Sequence, residues 1–206
     1  MNDLKNIVFT DEVKIKELQR EFEEQNVKIS KKIYSSVSEE RLRVIKIAKK
    51  AKIKAPIENV FQEMVSLSAQ NMHPNLKKED LKESVFYRSS GKSNKIPFQV
   101  SKLKANEVLE IRWYANEQQF IKTISFYSNK NNTKTTIRYQ DITTGMVSIL
   151  GYFEKRIRSV YVKRQVIAFN ISLLKTKLNL DLIKDNKKLK IERKIENMMK
   201  YSKDIY

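Results

Sequence analysis

The chain has 206 residues, 40% hydrophobic and 32% charged, with enough Leu, Ile, Val and Phe to build a core and too many for a disordered chain. It holds no Cys and one His, His73, which excludes thiol catalysis, disulfides and Cys- or His-rich metal sites. Its three Gly, at 91, 145 and 151, make neither GxGxxG nor GxxxxGK[ST], so no nucleotide cradle and no other cofactor motif is read, and its net charge of +18 points to anionic partners.

That charge is uneven. Residues 1–42 hold eight Lys/Arg against nine Asp/Glu, about −1, so residues 43–206 carry about +19. No apolar run approaches the roughly 18 residues needed to span a bilayer. The N-terminal MNDLKNIVFTDE lacks a basic segment leading into an apolar one, so a cytoplasmic protein is expected.

Residues 10–26 (TDEVKIKELQREFEEQN) predict a helix capped by Thr10, with Ile15, Leu18 and Phe22 on a narrow apolar stripe. Its carboxylates form a solvated face. Residues 27–34 fit a short strand, and SSVSEE (35–40) a loop.

Residues 43–61 read RVIKIAKKAKIKAPIENVF, a basic tract by composition. Parity resolves it. Ile45, Ile47, Ala51, Ile53 and Ala55 share one side with Lys49, while Lys46, Lys50, Lys52 and Lys54 share the other with Ala48. Period two is a half-buried strand. Pro56 then suits the first position of a helix carrying Ile57, Val60, Phe61, Met64 and Leu67 on one face. His73-Pro74 stops that helix, with His73 as a capping or exposed residue, and NLKKEDLKE (75–83) suggests a second short one.

After residue 84 the period changes. VFYRSS, IPFQVSKL, EVLEIRWY, QFIKTISFYS and TKTTIRYQDIT read as strands joined by short polar turns, an antiparallel meander. Leu109, Ile111 and Trp113, then Phe120, Ile124 and Phe126, then Thr133, Thr135, Ile137 and Tyr139 form same-face sets. They would line a cavity or fill a solid core. From about Val147 to Leu178 the pattern is helical, and the lysine-rich remainder is a frayed or partner-dependent helix with Ile191, Ile195 and Met198 on one side.

The order strand, two helices, meander, long helix resembles the helix-grip fold of the START and birch-pollen-allergen (SRPBCC) superfamily. The local match is KIKAPIENVFQEMV, a strand running into Ala-Pro at the start of the first helix. Residues 45 to about 178 also resemble a small domain-of-unknown-function family of low-GC Gram-positive bacteria within it. FYRSSGKSNKIPFQVSKLKANEVLEIRW and TTIRYQDITTGMVSILGYFEKRIRSVYVKRQ carry that likeness. The resemblance implies an α+β helix-grip fold, a curved antiparallel sheet wrapped around a long C-terminal helix. It places an N-terminal helical extension at 1–42, the helix-grip domain at 43–179 and a basic helical tail at 180–206. The superfamily hosts carriers, cyclases, hydrolases and co-chaperones, so fold alone does not name a function.

On the long helix, Phe153, Ile157, Val160, Ala168 and Ile171 form the stripe expected against the sheet, and Arg164 falls inside it. A charge there must be paired or reach an opening. It reads as the anion clamp of an internal ligand site or as a structural ion pair, with Glu110 or Asp141 as partners. Val162, Val166, Phe169 and Leu173 form a second stripe expected to face away from the sheet. It could meet the N-terminal helix, a C-terminal helix or a second copy in a dimer.

Three functions follow. The first is a non-enzymatic module holding a hydrophobic or amphipathic small molecule between sheet and helix, with Arg164, Trp113, Phe126, Tyr139, Ile157 and Tyr161 as binding candidates. The second is an electrostatic adaptor for RNA, the ribosome or an anionic membrane surface, through Lys46, Lys50, Lys52 and Lys54 with Arg156, Arg158 and Lys163. In that stretch, GYFEKRIRSVYVKRQ, basic residues interleave with Tyr152, Phe153 and Tyr161, as in single-strand binders, although no RRM, KH, zinc-finger or helix-turn-helix signature accompanies it. The third is a cyclase- or hydrolase-type enzyme, for which no acid/base pair emerges from the spacing and no catalytic residue is named.

Overall fold

The computed structural model describes residues 7–34, 43–90, 96–115, 118–145 and 151–204, with backbone alone at 31–34, 43, 151–155 and 157. The expected loop at 35–40, the turn at 91–94, the helix start at 147–150 and the side chains of Tyr152, Phe153 and Ile157 lie outside the described residues.

Helix α1 (Glu12–Tyr34) is the first element of the described chain. Its cap is Asp11 rather than Thr10: Asp11 Oδ1 accepts from the Val13 and Lys14 amides at 2.9 and 3.3 Å. A carboxylate is the better group at the positive end of a helix dipole. Residues 27–34 continue the helix instead of forming a strand, because Ile29 extends the buried stripe of Leu18 and Phe22.

Strand β1 (Arg43–Ile53) alternates as its parity requires, with Ile47 and Ile53 buried and Lys46, Lys50 and Lys52 exposed. Helix α2 (Ile57–Met72) follows. Pro56 is its N-cap rather than its first residue, so the cap comes from elsewhere. Asn132, at φ +50° in the turn after the fifth strand, accepts from the Ile57 amide at 3.0 Å through Oδ1 and donates to Glu58 at 2.9 Å. Past the helix, His73 Nδ1 accepts from the Asn75 amide at 3.2 Å, a capping role. The expected second helix is reduced to one 3₁₀ turn at Lys78–Asp80. Leu76 and Leu81 are both buried and stand five apart, a spacing that an α-helix does not keep on one face.

Strands β2 (Phe86–Arg88), β3 (Pro97–Lys104), β4 (Val108–Ala115), β5 (Gln118–Ser128) and β6 (Thr135–Gly145) form the meander. With β1 they make one six-stranded antiparallel sheet in the order β1-β6-β5-β4-β3-β2. A register shift between Val100 and Lys102 marks an irregularity in β3. Residues 7–9 lie along the open edge of β2, with the Arg88 amide donating to the Ile7 carbonyl at 2.8 Å and the Phe9 amide to the Phe86 carbonyl at 3.1 Å. That segment satisfies edge groups that would otherwise be free to pair with another chain.

Helix α3 (Gly151–Asn179) crosses the inner face of the sheet, and α4 (Asp185–Asp204) folds back on α3. The reversal is held by Lys188, which pairs with Asp181 at 2.8 Å and Asp185 at 2.9 Å. The lysine-rich tail is therefore helical with α3 as its partner, and Ile195 is buried.

On α3 the stripe read as outward is the one that meets the core. Phe169 is 5% exposed and stacks on Tyr139 of β6, ring centroids 4.7 Å apart, and Val162, Val166 and Leu173 pack against the same core. Ala168, assigned to the sheet-facing stripe, is exposed. The stripe read as outward is thus covered within this chain, which removes it as a dimer face. Phe169 is held inward by its stacking on the Tyr139 ring of the sheet.

Among the described residues helix α1 packs on the sheet rather than on α3. It covers the outer face of the sheet, where Leu18, Phe22 and Phe86 form a second small core with Phe9, Ile15 and Tyr114. Phe22 sits edge-on to Phe86 at 5.0 Å and to Tyr114 at 4.6 Å.

Candidate functional site: a cavity between sheet and long helix

Sheet parity aims Phe98, Ile111, Trp113, Lys122, Ile124 and Tyr139 at α2 and α3. They do not close on the helices. A partly open cavity of about 290 Å³ remains, completed by Met64, Ser68, Asn71 and Met72 of α2 and by Ala168, Phe169 and Ser172 of α3. One water occupies roughly 30 Å³ of the liquid, so the space is far larger than a packing defect. Most of the lining is apolar.

Polar groups gather at one part of the wall. Asp141 is fully buried on β6; its Oδ1 accepts from the Tyr161 hydroxyl at 2.7 Å and its Oδ2 from the Tyr139 hydroxyl at 3.2 Å. Thr143 Oγ1 donates to the Tyr161 oxygen at 3.1 Å. Gln165 Oε1 lies 3.4 Å from the Tyr139 hydroxyl and accepts from Lys122 Nζ at 3.2 Å. Burial pushes the Tyr139 and Tyr161 phenols well above their ordinary range, and the Asp141 charge adds to the rise. Both therefore act as neutral donors. Burial lowers the Lys122 ammonium from its ordinary value, partly offset by Asp141.

The binding candidates separate. Trp113 and Tyr139 line the cavity. Phe126 is buried beside Phe61, ring centroids 5.2 Å apart, and belongs to the packed core. Tyr161 serves Asp141. The Ile157 side chain lies outside the described residues. Arg164 is half-buried and stands one turn before Ala168 of the rim, but is not among the lining residues. Of the partners considered for it, Glu110 accepts from Ser101 and Thr123 at 2.9 and 3.1 Å on the outer face. Asp141 holds the two phenols.

Lys122 and Gln165 were missed. The signal for Lys122 was present: it stands between Phe120 and Ile124 on the apolar parity of its strand, a charge where the pattern calls for a hydrophobe. Asp141 breaks parity in the same way between Tyr139 and Thr143. Nothing local marks Gln165, whose role depends on a strand 43 residues earlier.

The anion-binding candidates fall on two surfaces. Lys46, Lys50, Lys52 and Lys54 are exposed on the outer side of β1. Arg138 lies opposite Lys50 in register, its guanidinium 4.8 Å from the centroid of the exposed Tyr127 ring. Lys49, Lys50, Tyr127 and Arg138 line a groove of about 400 Å³ there. Arg156, Arg158 and Lys163 are exposed on α3, on the other side of the sheet.

A curved antiparallel sheet closed around a long C-terminal helix is the helix-grip α+β fold. No protein-family model matches the chain, and no curated protein matches it in sequence. Among solved structures it is similar to a Staphylococcus aureus protein of unknown function, at 14% identity and a TM-score of 0.49, over 68% of this chain and 96% of that one. An Enterococcus faecalis protein of unknown function matches at 12% identity and 0.44, over 86% and 98%. Norcoclaurine synthase from Thalictrum flavum, solved with dopamine and hydroxybenzaldehyde, matches at 7% identity and 0.48, over 70% and 91%. Among the described residues no helix is long and apolar enough to cross a membrane.

Proposed function

We propose that this protein is a cytoplasmic, non-enzymatic binding module of the START-like helix-grip superfamily that holds an apolar or amphipathic small molecule between its sheet and long helix. The cavity carries this reading. A space of about 290 Å³ walled by Met64, Met72, Phe98, Ile111, Ile124 and Phe169 costs packing energy when empty and regains it when filled. Kinship to the uncharacterised low-GC Gram-positive family rests on the sequence blocks that resemble it. The test is native mass spectrometry of the purified chain, with solvent extraction of whatever it carries. A bound small molecule, lost when Ser172→Trp fills the cavity, supports the reading. Wild-type protein that carries nothing and is not stabilised by any of a panel of apolar compounds sinks it.

A second reading has its own observation. The outer face of the sheet is divided: where α1 covers it the residues beneath are Phe86 and Tyr114, and beyond that cover it presents Lys46, Lys50, Lys52 and Arg138. We infer an electrostatic adaptor surface for RNA, the ribosome or an anionic membrane. Lysines on an edge strand also block unwanted strand pairing, which is the plain alternative. Heparin retention that falls steeply with salt and drops in Lys50→Glu/Arg138→Glu supports the adaptor; retention indifferent to both removes it.

A further inference from the structure

Lys122 is the one charged residue among the described residues that line the cavity. Its ammonium has three donors. One goes to Gln165 Oε1 at 3.2 Å, and the nitrogen stands 5.8 Å from the centroid of the Trp113 ring. Among the described residues it forms no ion pair. Asp141, its partner across the β5–β6 ladder, accepts from Tyr161 and Tyr139 instead. The wall thus offers a half-buried cation with spare donors, set in an apolar surface.

That chemistry selects a ligand. A cationic ligand meets repulsion from Lys122, with no carboxylate lining the space to offset it. A neutral apolar ligand leaves the spare donors of the ammonium without an acceptor, with only the more distant Asp141 charge to offset burial. A dianion such as a phosphate monoester brings one charge more than a single lysine can balance in a water-poor site. We propose, building on the binding-module reading above, that the ligand is an apolar monoanion of the carboxylate class. Its head takes the free donors of Lys122, and its hydrocarbon lies against Met64, Met72, Phe98, Ile111, Ile124 and Phe169. Gln165 is a positioning residue that holds the ammonium at the wall. The volume of about 290 Å³ suits a medium-chain acid rather than a long-chain lipid.

The test compares decanoate with decanol, which share a chain and differ in head charge, by titration calorimetry on the full chain. Wild type is expected to bind decanoate roughly tenfold more tightly, the worth of a charge-assisted hydrogen bond. Lys122→Met is expected to abolish that preference while keeping decanol binding, which also shows that the variant folds; Lys122→Gln provides the same comparison with a polar side chain. The preference is further expected to fade as pH rises, and to do so below the ordinary lysine range, because decanoate stays ionised while burial makes the ammonium release its proton earlier. Asp141, Tyr139, Tyr161 and Gln165 are the groups facing it, and the two raised phenols keep their protons beyond the ordinary tyrosine range. Equal binding of the two ligands by wild type, or an undiminished preference in Lys122→Met, overturns the anionic head and leaves the binding module standing. Binding of neither ligand by wild type overturns both.

Discussion

Lys122 and Asp141 are direct cross-strand partners on β5 and β6, yet their side chains part: the ammonium donates to Gln165 at 3.2 Å and the carboxyl accepts from Tyr161 at 2.7 Å. Two groups of opposite charge that could neutralise each other are each held by a residue of α3. The helix therefore keeps a cation available at the cavity wall while satisfying the buried carboxyl. This arrangement is the most specific polar feature of the inner face.

Removing the Tyr161 hydroxyl tests that division. Tyr161→Phe leaves the fully buried Asp141 with one acceptor unserved, and it is expected to lower unfolding free energy by about 1–3 kcal/mol in urea titration. Tyr139→Phe, whose bond to Asp141 is longer at 3.2 Å, should cost less. A larger loss for Tyr139→Phe than for Tyr161→Phe would reverse the assigned order.

The phenols and the lysine also predict opposite responses to base. Tyr139 and Tyr161 have folded pKa values above the ordinary 10.0, so the native state keeps protons that the unfolded chain releases. Their contribution is full below pH 10 and is lost as pH rises beyond it. Lys122 has a folded pKa below 10.5, so the unfolded chain binds more protons between the two values, and its contribution rises with pH across that window. Thermal unfolding followed from pH 8 to 11 should show a shallower alkaline decline in Tyr161→Phe and a steeper one in Lys122→Met. The same slope in all three proteins would contradict both assignments.

Phe22 anchors α1 to the outer face. With the ring 4% exposed and wedged between Phe86 and Tyr114, Phe22→Ala is expected to cost about 3–5 kcal/mol, or to release α1 with faster amide exchange along residues 12–30. The exposed neighbour Val13→Ala should change stability by less than about 0.5 kcal/mol. Similar effects from the two would show that α1 is not docked through Phe22.

Asn132 joins the β5–β6 turn to the start of α2. Asn132→Ala loses the cap on Ile57 and places a Cβ at φ +50° without the local hydrogen bonds that Asn supplies, for an expected loss of about 1–2 kcal/mol. Asn132→Gly loses the cap but relieves the backbone, so it should fall between wild type and Ala. Chemical denaturation of the three proteins separates the two contributions, and Gly no better than Ala would assign the effect to the cap alone.

Much of this architecture was legible because its signals are local. Period two placed β1 and the sides of β3 to β6, since successive residues of a strand must point to opposite faces whatever lies beyond. The Ala-Pro exit and the stripe of Val60, Phe61 and Met64 located α2 for the same reason. The faces of α3 were a different matter. Both carry hydrophobes at helical spacing, so periodicity found two partners, and placing the Phe153 stripe on the sheet had no local signal to decide it.

Tertiary structure decided what periodicity could not. Phe169 lies inward because it stacks on Tyr139, a ring 30 positions earlier, and α4 folds back against the same helix. Helix α1 went to the outer face because Phe86 and Tyr114 give Phe22 an aromatic seat there. The cavity, and the choice of Lys122 over Arg164 as its charged wall, depend on three elements failing to meet by a few side-chain volumes. Sequence alone determined which residues of the strands and of α2 turn toward the interior. How completely the interior fills is a sum over distant contacts, and only the folded chain performs it.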